Sequence, residues 1–550
     1  PSTENIVAAA SARHIPFIRL TAGNLVQLGY GAQSRRIWTA ETDQTSAIAE
    51  GISRDKELTK RLLAACGVPV PEGRAVESAE DANEAADEIG APVVVKPTDA
   101  NHGRGVSINL TTQADIAAAY AVAQKEGSGV LVERFVPGIE HRLLIVGGKL
   151  VAAARGEETW ITGDGQTNVA GLIERQVNSD PRRGSAEDYT LDIIRLDETP
   201  AVLLELERQG YTPDAIPPAG ERVLVQRNGS VSFDITDRVH PDVAATAALA
   251  ARVVGLDIAG IDIVATDIAQ PLEAQRGAVV EVNAGPGLLM HIKPSEGTPR
   301  PVGEAIVAHL FPHGEEGRIP IVGITGSHDT TAVARRVAHL IHLDGAHVGL
   351  ACCDGLFFGR RQVDKTDAAH WAAARKVLLN RAVGAAVLEN GPRAITAEGL
   401  AYDRCQVAVV TGLDPAARLP EHDIDSPEKL FGVLRTQVDI VPPDGAAVLN
   451  ADDARVAEMA GLCDGEVIFF ASGENAPLLA AHRAHGHRAV FARDGDIVLA
   501  TGPHETILAA PPASSGNAPG AATLAAIGAA WALGIAPALM RAGIETFDMA

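Results

Sequence analysis

Short apolar runs and alanine-rich amphipathic stretches succeed one another along this chain. Apolar runs bounded by glycine or proline predict buried strands, and apolar residues spaced three or four apart predict helices. The pattern predicts a helix in DKELTKRLLAACG that ends at Gly67. It predicts buried strands in APVVVKPT, GVLVERFV, GIDIVATD and GAVVEVNAGPG. A mixed α/β protein is therefore expected.

The same succession of elements occurs twice, with a break between the two copies. HLFPHGEEGRIP combines prolines, glycines and adjacent glutamates, and it predicts a linker at about residues 312–319. IPIVGITG follows as an apolar run stopped by glycine, which predicts a buried parallel strand entering a turn. We therefore expect one domain over residues 1–315 and a second α/β domain over residues 316–550.

Composition narrows the possible functions of the chain. A formal charge of −23 repels phosphate backbones and anionic membrane surfaces, so neither nucleic acid nor a membrane is expected as a partner. No run of 18 apolar residues occurs, and a membrane-spanning helix needs about that many. The five cysteines form no CxxC pair, which favours free thiols in a reducing cytoplasm.

A lysine and a glycine-rich loop form a candidate phosphate site. Lys96 ends the strand VVVKP, where a point charge can face a bound anion. NHGRGV follows at residues 101–106, and Gly103 and Gly105 allow backbone N–H groups to turn inward as an anion nest. The alternative is an ordinary glycine turn in a hairpin.

The segment VERFVPGIE offers candidate contacts to a nucleotide base and ribose. The carboxylates of Glu133 and Glu140 can accept from an adenine amino group or from ribose hydroxyls, and the backbone of Phe135 and Val136 can pair with the adenine edge. The alternative is that each glutamate is a surface residue.

Acidic and amide side chains on two apolar strands form a candidate metal site. Glu281 and Asn283 stand two residues apart on one strand and so point to the same face, and Asp262 lies in another strand. Hard oxygen ligands of this kind suit Mg²⁺ held jointly with phosphates. Burying such groups without a cation would be costly, which disfavours a purely structural role.

The order of these motifs resembles the ATP-grasp superfamily. The strings VQLGYG, KPTDANHGRG, DPRRG, GLDIAGIDIV, EVNAGPG and PSEG resemble the cyanophycin synthetase family over nearly the whole chain. The resemblance implies an ATP-grasp fold over residues 1–315, with a lid at about 90–150 and an inserted segment at about 155–235. It implies a Mur-ligase-like P-loop α/β domain over residues 316–550 that lacks the family's C-terminal lobe. A further N-terminal domain upstream of Pro1 is left open.

The resemblance also implies an ADP-forming carboxylate–amine ligase that uses ATP and Mg²⁺. Such an enzyme phosphorylates the terminal α-carboxylate of a growing poly-aspartate backbone, and an amine then attacks the acyl phosphate. By position, the phosphates would be held by Lys56 and Lys96 and covered by His102, Gly103, Arg104 and Gly105. The metal would be held by Asp262, Glu281 and Asn283. Arg142 and His102 would stand at the reacting carboxyl, and Arg183 and Ser295 near the polymer or the incoming substrate.

The second segment has lost its phosphate loop relative to this family. GITGSHDTTAVAR stands where the family has GTNGKTT, so Asp329 replaces a glycine, Thr330 replaces the lysine, and Thr331 remains. A carboxylate in a phosphate nest repels its ligand, and no lysine compensates. Glu389 stands where the family has a magnesium-side glutamate. We expect this second site to be inactive and the domain to be structural.

A chain with one active site cannot alternate two amino acids, so it resembles the type-two members of the family. These polymerise ready-made β-aspartyl-arginine dipeptides. The expected partners are the dipeptide and a cyanophycin chain or primer, in a homodimer or homotetramer. One alternative is a ligase that adds free aspartate while a partner adds arginine. Another is a non-catalytic subunit that binds the polymer as a scaffold.

Overall fold

Backbone contacts divide the protein, described here by a computed structural model, into two units. The first unit comprises Pro1–Leu28 and Arg35–Glu315, and the second comprises Gly29–Ser34 and Glu316–Ala550. The structure describes residues 1–98, 105–185, 189–226, 232–508 and 519–547. Within these ranges, no helix combines the length and the apolar character needed to cross a bilayer. That the two units act as a ligase domain and a non-catalytic domain stays a prediction.

The first unit mixes helices with several small sheets. Its described strands are β1 (Phe17–Arg19), β2 (Leu25–Leu28), β3 (Arg35–Trp38), β4 (Glu41–Thr42), β5 (Gly73–Val76), β6 (Val93–Pro97), β7 (Ser107–Leu110), β8 (Val130–Arg134), β9 (Ile139–Val146), β10 (Lys149–Arg155), β11 (Thr159–Thr162), β12 (Arg183–Gly184), β13 (Leu191–Asp192), β14 (Arg222–Gln226), β15 (Phe233–Asp234), β16 (Ile258–Ala265) and β17 (Ala278–Ala284). Its described α-helices are α1 (Ser2–Ala12), α2 (Ala47–Arg54), α3 (Lys56–Ala65), α4 (Ala79–Ile89), α5 (Gln113–Glu126), α6 (Val169–Leu172), α7 (Pro200–Arg208), α8 (Pro241–Val254), α9 (Leu272–Gln275), α10 (Leu289–Ile292) and α11 (Val302–Leu310).

Two sheets of the first unit carry the residues that sequence analysis singled out. One runs β5-β8-β6-β7 and the other runs β15-β10-β9-β16-β17, and the neighbouring strands of both are antiparallel. Alanine-rich α8 packs its apolar face on the second sheet and, with α3, buries a core that includes Leu63, Val243 and Ile261. The second sheet is thus covered by helices on one face, and alternate residues of its strands lie on the other face.

The predicted helix in DKELTKRLLAACG is confirmed as α3. It begins because the Asp55 side chain accepts from the backbone N–H of Leu58 at 2.9 Å, which caps an otherwise unpaired donor. Its last helical residue is Ala65, and Gly67 follows with a φ of 80°, in the left-handed region that glycine enters most easily. The four strands predicted in the first unit are confirmed as β6, β8, β16 and β17.

The second unit is built on an eleven-stranded sheet of described strands, in the order β21-β20-β19-β22-β18-β23-β24-β25-β26-β27-β28. These strands are β18 (Ile321–Thr325), β19 (Val348–Cys352), β20 (Gly355–Phe358), β21 (Arg361–Asp364), β22 (Ala385–Glu389), β23 (Val407–Val410), β24 (Ala446–Asn450), β25 (Glu466–Ala471), β26 (Arg488–Arg493), β27 (Asp496–Thr501) and β28 (His504–Leu508). The described α-helices are α12 (Thr330–Leu343), α13 (Trp371–Leu379), α14 (Pro392–Glu398), α15 (Pro427–Leu434), α16 (Thr436–Asp439), α17 (Ala454–Glu458), α18 (Pro477–Ala484), α19 (Ala521–Ala532) and α20 (Pro537–Thr546).

The centre of this sheet is parallel. β18 pairs in parallel with β22 on one side and β23 on the other, which confirms the buried parallel strand predicted in IPIVGITG. All five residues of β18 are buried, as expected for a strand covered by helices on both faces. The turn after β18 leads directly into α12, so the sequence GITGSHDTT forms a strand–turn–helix unit.

Candidate active site

Three neighbouring strands of the first unit carry ionisable side chains at matching positions. Arg142 on β9 stands directly opposite Asp262 on β16, and Asp262 stands opposite Glu281 on β17. Directly opposed residues on antiparallel strands share a face of the sheet, with Cβ atoms about 4.5–5.5 Å apart. The register therefore places one carboxylate between an arginine and a second carboxylate.

Asp262 is the buried centre of this row, with 2% of its surface exposed. Arg142 donates to both of its carboxylate oxygens through Nε and Nη2, the latter lying 2.8 Å from Oδ2. Asn283 Nδ2 also donates to Oδ2, at 3.0 Å. Burial raises the pKa of Asp262, and the Arg142 guanidinium opposes that shift. For Arg142, burial alone would lower the pKa, but Asp262 outweighs it and the pKa is raised.

The same strands line a cleft with about 910 Å³ of empty space, including its open mouth. The described lining combines apolar walls with charged groups, namely Lys56, Pro71, Val94, Lys96, Val106, Ile108, Glu133, Arg134, Phe135, Val136, Gly138, Glu140, Asp262, Val264, Val280 and Glu281. Pockets of this size and character hold drug-sized ligands. The cleft therefore collects six of the predicted nucleotide residues and two of the three predicted metal ligands.

Glu133 bridges two lysines in the wall of this cleft. Its Oε2 lies 3.0 Å from Lys96 Nζ, and its Oε1 pairs with Lys60 Nζ. Glu133 is only 4% exposed, so the alternative that it is a surface residue is wrong. Burial lowers the pKa of both lysines, and for Lys60 the neighbouring Lys96 charge adds to the effect. Glu133 is therefore flanked by two lysines in this wall.

Lys60 was missed by sequence analysis. It lies four residues after Lys56 on α3, so both lysines stand on one face of the helix. The i, i+4 spacing in DKELTK was the signal that could have found it. Lys56 points toward the metal candidates, with its Nζ 3.4 Å from Glu281 Oε1.

The donor set in the cleft fits Mg²⁺. Asp262, Glu281 and Asn283 offer the hard oxygen ligands that this ion prefers. Burial raises the pKa of Glu140 to about 7, and the Asp262 charge adds to that shift. A cation bound nearby would favour the charged form of these carboxylates. Among the described residues, no group of three His, Cys, Asp or Glu side chains has metal-holding geometry. If a magnesium ion binds here, Asp262, Glu281 and Asn283 are the residues that would hold it.

The glycine-rich loop is described only from Gly105 onward. Gly105 has a φ of 70°, and a Cβ there would meet Pro97 Cγ at 3.3 Å, so this turn next to the lysine strand requires glycine. His102, Gly103 and Arg104 lie outside the described residues.

Arg183 and Ser295 do not belong to the described lining of the cleft. Arg183 donates to the Asp192 carbonyl, and Ser295 Oγ lies 2.6 Å from Ser232 Oγ. Arg182 Nη1 donates to the Ser295 carbonyl at 3.4 Å. The DPRRG and PSEG motifs therefore meet each other, whereas their predicted contact with substrate stays a prediction.

Comparison with known proteins agrees with this geometry. Residues 55–146 match the family model "Carbamoyl-phosphate synthase L chain, ATP binding domain". The cyanophycin synthetase of Nostoc sp. (strain PCC 7120 / SAG 25.82 / UTEX 2576) is 38% identical over 100% of this chain and 62% of its own length. The enzyme of that name from Synechocystis sp. (strain ATCC 27184 / PCC 6803 / Kazusa) is also 38% identical, with 64% of its length covered.

The chain is thus similar to the cyanophycin synthetases over its whole length. It spans less than two thirds of the length of these curated relatives. Among solved structures, a bifunctional glutathione synthetase from Pasteurella multocida matches 56% of this chain and 44% of its own, at 28% identity and a TM-score of 0.40. MurF from Acinetobacter baumannii matches 42% of this chain and 46% of its own, at 16% identity and a TM-score of 0.31. The predicted α/β multidomain fold class, with an ATP-grasp segment first, is confirmed.

In the second unit, side chains at the start of α12 bond to Glu389 at the end of β22. Thr330 Oγ1 donates to Glu389 Oε1 at 2.7 Å, and Thr331 Oγ1 donates to the same oxygen at 2.9 Å. The Cys353 backbone N–H donates to Oε2 at 2.8 Å. Glu389 is thus buried and satisfied by groups of the chain itself.

Asp329 keeps the backbone conformation of the glycine that the family has at this position. Its φ of 62° lies in the left-handed region, and its side chain makes no capping bond to α12. About half of the Asp329 side chain is exposed at the start of that helix, where an anionic ligand would otherwise bind. The residue before α12 thus combines a left-handed backbone with a negatively charged side chain.

Proposed function

We propose that this chain polymerises β-aspartyl-arginine dipeptides into cyanophycin, forming ADP and phosphate at the cleft of the first unit. The observation that carries the proposal is the contrast between the two units. The first gathers Lys56, Lys96, Asp262 and Glu281 around one cleft. In the second, Thr330 stands where a phosphate-binding lysine is expected and bonds Glu389 instead.

The proposed reaction has two steps at one carboxyl group. An oxygen of the polymer's terminal α-carboxylate attacks the γ-phosphorus of ATP, and ADP leaves. The amino nitrogen of the next dipeptide then attacks the acyl carbon, loses a proton, and expels phosphate as the amide bond forms. Lys56 and Lys96 neutralise phosphate charge, which favours both steps because charge moves onto phosphate oxygens as they proceed.

Arg142 is proposed to hold the reacting carboxylate. Its Nε and Nη2 are committed to Asp262, which fixes the guanidinium plane, and Nη1 has no hydrogen-bond partner among the described residues. Gly260 lies under the side chain, so that a Cβ there would come within 3.4 Å of Nη1. A fixed guanidinium with one unused edge suits the orientation of a substrate anion.

Magnesium would be held by Asp262, Glu281 and Asn283 and would supply charge neutralisation between the β- and γ-phosphates. Glu133 and Glu140, with the backbone of Phe135 and Val136, line the part of the cleft proposed for the adenosine. The proposed partners are the polymer or a primer and the dipeptide, in a homodimer or homotetramer.

The deciding experiment compares two sets of substrates. The protein is given ATP, Mg²⁺, a short cyanophycin primer and either the dipeptide or free aspartate plus arginine, and ADP release and polymer mass are measured. Polymer is expected from the dipeptide and not from the free amino acids. Polymer made from the free amino acids would overturn the proposal.

Two other functions predict different results in the same assay. A ligase that adds free aspartate would release ADP with aspartate alone, without arginine. A polymer-binding scaffold would release no ADP with any substrate.

Glu281→Gln separates the enzyme from the scaffold, because it removes a metal-ligand charge with little change in shape. Turnover is expected to vanish while primer binding persists. Glu273→Gln, on the exposed side of α9, is the matched control and should retain full turnover. An active Glu281→Gln variant would contradict the proposed metal site.

A further inference from the structure

Glu133 and the two lysines beside it form a buried cluster of one carboxylate and two amino groups. Lys60 and Lys96 each pair with one oxygen of the Glu133 carboxylate. The side chains of Lys60, Lys96 and Glu133 are 12%, 10% and 5% exposed. Solvent therefore offers little compensation to any member that loses its partner.

The two lysines have different access to the cleft. Lys96 belongs to the cleft lining, whereas the described lining does not include Lys60. Lys60 lines a smaller cavity together with Lys56 and Glu281. A ligand in the cleft can contact Lys96 directly, whereas Lys60 pairs with Glu133, which is itself part of the lining.

We propose that Lys60 is a positioning residue that keeps Glu133 neutralised so that Lys96 can leave it for a phosphate of bound ATP. This inference rests on the ATP cleft of the proposed function. It adds a step in which Lys96 exchanges its partner, from the Glu133 carboxylate to a phosphate of ATP. When Lys96 turns to the phosphate, Glu133 would otherwise become a buried carboxylate without a cation. Lys60 stays paired with Glu133 and supplies the remaining positive charge. This lowers the free-energy cost of moving Lys96 away from a buried carboxylate.

The exchange assigns a separate task to each lysine. Lys96 serves the phosphate in the bound state, and in the free state it pairs with Glu133 Oε2 at 3.0 Å. Lys60 stays on the other carboxylate oxygen throughout. Glu133 then keeps its charge and can accept a hydrogen bond from the adenosine through the oxygen that Lys96 has released.

Replacing Lys60 by methionine tests the exchange, because methionine keeps the length of the side chain and removes its charge. With Lys60→Met, Lys96 is expected to remain on Glu133, so ATP binding should weaken about tenfold or more. The dissociation constant for ATP is measured by calorimetry with Mg²⁺ and without acceptor. Lys60→Arg should bind ATP within about threefold of the wild type, since the charge is restored. Arg61→Met, exposed on the same helix, is the matched control.

A double-mutant cycle distinguishes this role from a general loss of structure. In a Glu133→Gln background the carboxylate that pairs with Lys96 is gone, so adding Lys60→Met should weaken ATP binding by less than about twofold. Equal losses in the two backgrounds would overturn the inference, as would a Lys60→Met variant that binds ATP like Arg61→Met. A Lys60→Met variant with lost activity but normal ATP binding would also overturn it.

The test of Lys60 and the test of the proposed function can fail independently of each other. If the wild type binds ATP but makes no polymer from the dipeptide, the proposed substrate is wrong and the cycle still tests Lys60. If the wild type makes polymer and the cycle shows no coupling, the proposed function stands and the exchange is wrong. Absence of ATP binding by the wild type would overturn both.

Discussion

Arg142 and Asp262 face each other across adjacent antiparallel strands and are joined by a two-pronged ion pair, with Nη2 2.8 Å from Oδ2. Their side chains are 19% and 3% exposed. Glu281 stands on the far side of Asp262, so Arg142 is the cation that stabilises the inner carboxylate in a crowded acidic row. One residue thus serves both the stability of the sheet and the charge of the cleft.

Removing Arg142 should therefore harm stability as well as turnover. Arg142→Met leaves Asp262 as a buried carboxylate without its cation, which is expected to cost about 3–5 kcal/mol. Urea denaturation of the purified protein measures the loss in the transition of the first unit. ADP release in the dipeptide assay should fall below detection.

The matched control for this prediction removes both charges. Arg142→Met combined with Asp262→Asn should recover most of the lost stability, because no buried ion remains unpaired. It should stay inactive, since both groups are proposed to act on substrate or metal. Recovery of turnover along with stability would mean that the pair is purely structural.

Arg300 is expected to set the affinity for the polymer through the segment that carries Ser295. Arg300 Nε lies 3.0 Å and 3.1 Å from the two oxygens of Asp234, whose backbone N–H also donates to the Glu296 carbonyl. Arg300→Met should release this segment and raise the KM for primer about tenfold, the equivalent of one charge-assisted hydrogen bond. The KM for ATP should not change.

Asp237→Asn is the control for the Arg300 prediction. Asp237 also pairs with Arg300 but its side chain is 81% exposed, so its contribution is small. A rise in the KM for ATP equal to that for primer would contradict a role confined to the substrate segment.

Glu389 should matter for the second unit and not for turnover. Glu389→Gln makes the carboxylate a poorer acceptor for Thr330, Thr331 and the Cys353 N–H, with an expected cost of about 1–3 kcal/mol. Thermal unfolding measures this loss. The rate of ADP release per folded molecule should equal that of the exposed control Glu458→Gln. A folded Glu389→Gln variant with no turnover would point to catalysis in the second unit.

His291 should make the first unit sensitive to mild acid. It is 2% exposed, its Nε2 has no hydrogen-bond partner among the described groups, and burial with the nearby Arg142 charge lowers its pKa from 6.5 to about 3. Between these values the unfolded chain binds a proton that the folded chain does not. The free energy of unfolding should therefore fall as the pH drops below 6.5, by about 1.4 kcal/mol per pH unit once the unfolded His291 is fully protonated.

The measurement compares wild type with His291→Leu, which keeps the bulk and removes the titration. Urea unfolding is followed from about pH 7 to about pH 5 in both proteins. Glu140, with its pKa of about 7, also titrates in this range, but it is common to wild type and variant. The variant should show a shallower fall in stability with acid. Identical slopes would show that His291 is protonated equally in both states.

The elements of the site could be predicted from sequence because local patterns determine them. Apolar runs ended by glycine located β6, β8, β16 and β17, and the i, i+2 spacing of Glu281 and Asn283 gave their common face. The pairing of Arg142 with Asp262 could not be predicted in this way. It joins residues 120 positions apart, and the register between distant strands depends on the packing of the whole sheet.

Two further features of the protein could be recognised only from the structure. The burial of Glu133 follows from Lys60 approaching from another element, so its sequence neighbours carry no sign of it. At Asp329 the sequence indicates that charge complementarity to a phosphate is lost. The left-handed backbone of this residue depends on the turn between β18 and α12 and could be seen only in the structure. The substrate contacts that the family resemblance implies for Arg183 and Ser295 stay predictions, which the primer assays can test.

The row of Arg142, Asp262 and Glu281 has a consequence for how this protein can change over evolutionary time. Since a strand alternates its faces at every residue, losing one residue upstream within β9, β16 or β17 would turn a member of the row to the opposite side of the sheet. Substitutions among the apolar neighbours are compatible with the row, but changes in strand length are not. Insertions and deletions are therefore confined to the connecting loops, and a single-residue deletion scan should separate permissive loops from three strands of fixed length.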